Sequence, residues 1–154
     1  MRIDPARSTV RFCATHALGL GPVEGTLAVV EGEVDVERQT AWAVLDATSF
    51  STGNPRRDKD IKDKRFLDVA RFPTIRFDGT APAGGDGQRR VTGTLTVRDV
   101  TRPVTLEVVA ARPIDGGQIV RATGTIDRRV FGVVAGRGLI RPRLTVTIDV
   151  YAVS

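Results

Sequence analysis

Apolar and polar residues alternate with a period of two through most of this chain, and that alternation constrains its fold more than any other feature. Val10, Phe12 and Ala14 are one example. Such a pattern is typical of β-strands with one buried face. The segments that show it are 10–14, 23–29, 75–77, 91–97, 104–108 and 144–150, with 41–49 and 119–126 as further strand-like stretches. In 41–49 the sequence leaves open whether Trp42 or Leu45 faces inward.

The strands number about eight and are separated by turns rich in glycine, aspartate and proline, which limits the fold to a β-sandwich or a closed barrel. An eight-stranded barrel is just wide enough to hold side chains or one small ligand. Glycines inside strands, at Gly25, Gly93 and Gly124, favour bending and closure, or a ligand close to the wall. We therefore predict an all-β protein, an eight-stranded antiparallel barrel that forms a single domain over residues 1–154.

One stretch, 49–77, interrupts the strand pattern. Asn54 followed by Pro55 is typical of a helix start, and Asp58 lies in the first turn, where the helix dipole favours a negative charge. Apolar residues follow the charged segment. The sequence thus predicts a short helical insertion at about 55–69 between two strands, and we expect it to cover one end of the barrel as a lid.

The net charge of +5 is concentrated in the same stretch, since residues 55–76 contain eight basic and four acidic side chains. Nucleic-acid binding is the obvious hypothesis for such a segment, but single-strand binders also interleave stacking aromatics on an open sheet face. Only 5% of the residues are aromatic, and most fall at inward strand positions, so we expect no nucleic-acid partner. Contact of the basic lid with an anionic membrane, or with another acidic partner, is the alternative hypothesis.

The cysteine content and the amino terminus bear on the compartment. Cys13 is the only cysteine, which excludes an internal disulfide and suits a reducing environment. The sequence begins without the apolar region and cleavage site of a secretory signal peptide, and we expect a cytoplasmic protein. No apolar run approaches the roughly 20 residues that a membrane-spanning helix needs.

The single histidine, His16, limits the chemistry open to this chain. A metal site with two histidines is excluded, and any nucleophile that needs an imidazole base has only His16 to serve it. Cys13 lies three residues away along a strand, so the two side chains are expected on opposite faces. We predict no catalytic residues, no metal site and no cofactor; an enzyme with His16 as its acid or base is the alternative.

Several motifs together are more specific than the strand pattern. They are Phe12-x-x-x-His16-Ala17-Leu18, Ser49-Phe50-Ser51-Thr52-Gly53-Asn54, Arg57-Asp58, Phe66-Leu67-Asp68-Val69-x-x-Phe72-Pro73-Thr74-Ile75-x-Phe77, Gly93-x-Leu95-Thr96-Val97-Arg98-Asp99-Val100-Thr101-x-Pro103-Val104 and Asp127-Arg128-x-x-Phe131-Gly132. In these motifs the chain resembles the YceI-like family of lipocalin-shaped polyisoprenoid-binding proteins. Two positions depart from the family pattern: Asp60 stands where a histidine is usual, and Leu67 where a second aromatic is usual.

The resemblance implies a lipocalin-like barrel whose apolar interior holds a polyisoprenoid, isoprenoid quinone or fatty acyl chain for transport or storage, and not an enzyme. Strand parity and the motifs select the candidate ligand-binding residues, with ordinary core packing as the alternative reading of each. They are Phe12, Ala14, His16, Leu27, Phe50, Phe66, Ile75, Phe77, Leu95, Leu106, Phe131, Val146 and Ile148. His16 is expected to meet a polar head group, Arg57 and Asp58 to lock the helix onto the barrel, and homodimerisation is left open.

Overall fold

The computed structural model describes residues 1–15, 22–81, 89–133 and 142–154. Over these residues the chain forms nine β-strands, one α-helix and a short 3₁₀-helix. The strands are β1 Arg2–Ile3, β2 Thr9–Thr15, β3 Pro22–Asp35, β4 Thr40–Ser51, β5 Thr74–Thr80, β6 Arg90–Val97, β7 Val100–Ile114, β8 Gly117–Asp127 and β9 Arg143–Val153. The helices are α1 Pro55–Lys62 and the 3₁₀-helix Arg128–Phe131.

The strands close into a barrel in which every neighbouring pair is antiparallel. The order runs β3-β2-β9-β8-β7-β6-β5-β4, and β4 pairs with β3 to complete the circle. The short β1 occupies the same position in the wall as β2, because it too pairs with β3, through Arg2 and Glu33, and with β9, through Ile3 and Ala152. The barrel is therefore eight-stranded, and the prediction of an antiparallel eight-stranded barrel with a helical insertion is confirmed.

The two ends of the barrel are built differently. The lid end comprises the insertion 52–73, the turn 98–99 and the 3₁₀-helix with its continuation to Val133. The opposite end, here called the rim end, comprises the β3–β4 turn at 36–39, the β7–β8 turn at 115–116 and the residue before β6, Arg89. Any long cavity inside the barrel thus has one end beneath the insertion and the other between hairpin turns.

The helical insertion begins as the sequence predicts and ends earlier. The Asn54 side chain accepts a hydrogen bond from the Arg57 backbone N–H at 3.2 Å, and Pro55 is the first helical residue. After Lys62 the chain folds back in turns, and the Leu67 N–H donates to the carbonyl oxygen of Ile61 at 3.0 Å. This reversal, not a longer helix, packs the apolar residues behind α1 against the barrel core.

The structure also decides the orientation of β4. Leu45 and Ala47 are buried in the core. Trp42 is half-buried and alternates with Leu45. Its register opposite Asp78 on β5 turns it away from the row that Leu45 shares with Ile75. The Arg76 guanidinium lies 5.0 Å from the centroid of the Trp42 ring. The aromatic side chain is thus partnered on the outside by a cation–π contact, which leaves the smaller residues to face inward.

Candidate ligand-binding cavity

A cavity of about 790 Å³ runs through the barrel. Inward-facing residues of β2 to β9 line it, and most of them are aliphatic or aromatic. At the lid end it reaches Phe66 and Phe131, and at the rim end it reaches Gln39 and Gln118. Cavities of 300–1,000 Å³ with mainly apolar linings are typical of sites that enclose a small organic ligand.

The exposure of the inward side chains shows that the barrel is hollow. Phe12, Phe77 and Ile148 belong to the inner rows and line the cavity, yet each keeps part of its surface uncovered. Among the described residues, no large side chain is completely enclosed by its neighbours. A packed interior of native density would enclose the central side chains, because protein cores contain few voids larger than a water molecule.

The cavity brings together most of the residues that the sequence singles out. Those that line it are Phe12, Ala14, Leu27, Phe50, Phe66, Ile75, Phe77, Leu95, Leu106, Phe131, Val146 and Ile148. The remaining candidate, His16, lies outside the described residues. Contact of any of these residues with a ligand stays a prediction, whereas their common location on one apolar surface is a property of the fold.

Inward alanines make room for the cavity where larger residues would close it. Ala43 on β4, Ala122 on β8 and Ala14 on β2 all face the lumen. Ala122 is paired with Ile148 on β9 and Val108 on β7, so it lies between two bulkier lining residues near the middle of the barrel. The sequence reveals this only once the direction of each side chain is known.

Thr52 joins the insertion to the end of β4. Its backbone N–H and its hydroxyl both donate to the Asp58 carboxylate, at 2.8 and 2.6 Å, and Arg57 Nε donates to the hydroxyl oxygen at 3.0 Å. Burial alone would raise the pKa of Asp58, but the hydrogen bonds from Thr52 and the charges of Lys62 and Arg57 lower it below its ordinary value. Arg57 and Asp58 therefore hold the start of α1 through Thr52, with no direct pairing needed between them.

Arg128 is a cavity-lining residue to which the sequence analysis assigns no role. It is buried at the lid end, its Nη1 donates to the carbonyl oxygen of Val133 at 2.8 Å, and its guanidinium lies 6.0 Å from the ring centroid of Phe66. Burial lowers the pKa of this guanidinium below its usual value. The alternation of the strand is the sequence feature that could have placed Arg128 at the cavity, since it follows Ile126 of the inner row of β8 by two residues.

Within the described ranges, no three histidine, cysteine, aspartate or glutamate side chains lie close enough together to hold a metal ion. In the same residues, no helix is long and apolar enough to span a bilayer.

Comparison with known proteins identifies a family over nearly the whole chain. The family model of the YceI-like domain matches residues 1–152. A UPF0312 protein of Vibrio vulnificus is 30% identical over 119 residues, which are 73% of this chain and 61% of that protein. A UPF0312 protein of Yersinia pestis is 45% identical over 65 residues, which are 42% of this chain and 33% of that protein. The chain thus spans less than two thirds of the length of these curated relatives.

Solved structures share the architecture at lower sequence identity. Burkholderia cenocepacia BcnA superimposes with a TM-score of 0.82 at 22% identity, covering 97% of this chain and 99% of that chain. A polyisoprenoid-binding domain from Saccharophagus degradans, implicated in plant cell wall breakdown, gives 0.76 at 17% identity, covering 99% and 98%. A YceI protein of Campylobacter jejuni gives 0.68 at 20% identity, covering 89% and 88%. At these identities the likeness is one of fold.

Proposed function

The chain belongs to the YceI-like family, and from that premise we propose that its barrel binds one long apolar chain, of polyisoprenoid, isoprenoid quinone or fatty acyl type, for transport or storage. The observation that carries this proposal is the hollow, apolar lumen of about 790 Å³. The polyisoprenoid-binding neighbour of the same fold supports the ligand class. On this proposal the protein is a binding protein and not an enzyme.

An apolar lumen binds a chain mainly through the hydrophobic effect. Each methylene group removed from water contributes about 0.8 kcal/mol, so a long hydrocarbon is bound with few polar contacts. The lining rows supply aliphatic and aromatic surface around the full circumference of the barrel. Such a lumen selects for apolarity and width, and it needs no reactive side chains.

The first test is native mass spectrometry of freshly purified protein, followed by organic extraction and mass analysis of the released material. We expect a discrete added mass of a prenyl, quinone or acyl compound that extraction removes. The extracted protein, incubated again with that compound, should recover the added mass. A bare polypeptide that takes up none of these lipids after incubation contradicts the proposal.

We propose in addition that the lid contacts anionic membrane at its basic face. Arg56, Lys59, Lys64 and Arg65 are exposed, and none of them has an acidic side chain at ion-pair distance within the described residues. Some arginines of the wall are paired instead, as Arg121 is with Asp149 at 2.6 Å. Unpaired basic residues near an anionic bilayer contribute about 1 kcal/mol each.

Co-sedimentation with vesicles tests the membrane contact. The double variant K59Q/K64Q removes two lid charges, and R2Q/R112Q removes two exposed wall charges as a matched control. We expect binding to phosphatidylserine-containing vesicles that K59Q/K64Q weakens about thirtyfold, from about 1 kcal/mol for each charge removed, and that R2Q/R112Q leaves unchanged. Equal binding to neutral and anionic vesicles, or equal effects of the two variants, contradicts a lid-mediated contact.

A further inference from the structure

The inner rows of the barrel wall change from apolar to polar at the rim end. The row that leads into β4 ends in Gln39, the row that leads into β6 ends in Arg89, and the row of β8 ends in Gln118. All three side chains line the cavity. They come from strands that are not neighbours, so the change encircles part of the opening and is not confined to one hairpin.

Arg89 brings a positive charge to the mouth of the cavity at this end, where its side chain is exposed to solvent. Its carbonyl oxygen accepts the Val108 N–H at 2.7 Å, which places it in register with the inner residues Val108 and Val91. No acidic side chain of the described residues pairs with it. Arg90, the next residue, also borders this end of the cavity, but its charge is paired, because its Nε lies 3.8 Å from the Glu107 carboxylate.

Asp35 is the acidic residue that lines this end of the cavity, and it already has a basic partner. Its carboxylate accepts the backbone N–H of Arg38 at 2.9 Å and lies 3.9 Å from Arg38 Nε. Asp35 thus has a positive partner within its own turn, whereas Arg89 has none among the described residues. Of the charged side chains that line this end of the cavity, Arg89 is therefore the one without an oppositely charged partner among the described residues.

We propose that Arg89, with Gln39 and Gln118, binds an anionic oxygen head group, a carboxylate or a phosphate, of a ligand whose tail lies in the lumen toward the lid end. This proposal rests on the proposed lipid-binding function and adds the orientation and the charge of the ligand. The guanidinium offers a fork of donors that matches both head groups. The two amides supply further donors, and the exposed rim lets the remaining head-group oxygens stay hydrated.

Matched pairs of ligands that differ only in the head group test the proposal. Delipidated protein is titrated with hexadecanoate and hexadecanol, and with farnesyl phosphate and farnesol, at low ionic strength. The variants are R89Q, R89K and, as the control for net charge, R112Q, since Arg112 is exposed in the outer row at the same end. We expect wild type to bind each anion about tenfold more tightly than its alcohol, R89Q to lose most of that preference, and R89K and R112Q to keep it.

The four ligands separate the failure of this proposal from the failure of the proposed function. A preference for only one anion supports the proposal and identifies the head group as carboxylate or phosphate. Equal binding of anion and alcohol by wild type overturns the head-group assignment, and so does a preference that R89Q leaves intact. In either case, binding of the two alcohols would still show that the lumen binds lipid. Failure of all four ligands to bind contradicts the lipid-binding function and the head-group assignment with it.

Discussion

The Phe12 ring lies directly over the bare backbone of Gly25, its partner on the neighbouring strand. A Cβ atom placed on Gly25 would lie 2.6 Å from the edge of that ring. Phe50 stacks on the same ring, with centroids 5.0 Å apart and planes inclined by 24°. The missing side chain lets two aromatic rings lie against the wall and leaves the middle of the lumen open, which connects one residue type to the shape of the cavity.

Replacement of Gly25 by alanine should therefore move the Phe12 ring. We expect G25A to destabilise the fold by about 1–3 kcal/mol, as overpacked cores do, and to weaken binding of long chains because the ring is displaced toward the lumen. Chemical denaturation and lipid titration measure the two effects. A28V, at an exposed position of the same strand, should change stability by less than about 0.5 kcal/mol.

Gly93 should respond differently from Gly25. A Cβ atom on Gly93 would collide with the carbonyl oxygen of Asp78 and the backbone of Gly79, which are parts of the wall and not a movable side chain. We expect G93A to disrupt the pairing of β5 and β6 and to cost more than about 3 kcal/mol. Circular dichroism and denaturation of G93A and G25A measured side by side check the order. A fully stable G93A would contradict the predicted collision.

Period-two parity predicts the direction of side chains well and the space between them poorly. The rows through Phe12, Ile75 and Leu95 face the lumen as their alternation predicts, because a strand has only two faces. In β4 both faces carry an apolar candidate, and only pairing with β5 places Trp42 beneath Arg76 on the outside. The sequence of β4 alone does not show that Arg76, on the neighbouring strand, will lie against Trp42.

The hollow interior and the polar rim depend on closure of the sheet. Whether Phe77 meets a side chain from the opposite wall or empty space depends on barrel width, which no single strand encodes. Gln39, Arg89 and Gln118 are widely separated in sequence and share one end only because alternate strands return there. Sequence reasoning therefore finds the apolar lining and misses the rim, since a polar residue near a strand end is usually only the start of a turn.

Loss of the Asp58 charge should loosen the lid. Because Asp58 is buried and accepts two hydrogen bonds from Thr52, D58N should lower the free energy of unfolding by about 1–2 kcal/mol. Hydrogen exchange should increase first in α1 and at Thr52. The control is D60N, since the Asp60 side chain is exposed and has no hydrogen-bond partner among the described residues. Equal effects of the two variants would contradict the role of Asp58.

The Asp58 carboxylate should also make the free energy of unfolding depend on pH. The folded-state pKa of Asp58 lies below its ordinary value of 3.8, so the charged form stabilises the fold. That contribution is fully present above about pH 4–5 and is lost as the pH falls through the folded-state pKa. The stability difference between wild type and D58N should thus be constant from about pH 7 to pH 5 and shrink below about pH 4. Denaturation curves across this range check it, and a difference that grows on acidification would contradict the sign.

A large side chain at Ala122 should close the lumen without disturbing the outer wall. Ala122 faces the cavity between Val108 and Ile148, so the ring of A122F should occupy the space that a lipid tail needs. Because the cavity can accept the ring, we expect little loss of stability, and filling of empty volume could increase it. The bound mass in native spectra and the affinity for hexadecanol should fall at least tenfold.

The matched control for this variant is A110F, in which the same ring is added at an exposed position of β7. It should bind hexadecanol as wild type does, which separates occlusion of the lumen from a general effect of an added aromatic residue. If A122F folds with wild-type stability and still binds with unchanged affinity, the ligand lies outside the lumen and the proposed site is wrong. If A122F is well folded and empty, binding requires the interior volume itself, since the outer face of the barrel is the same in both proteins.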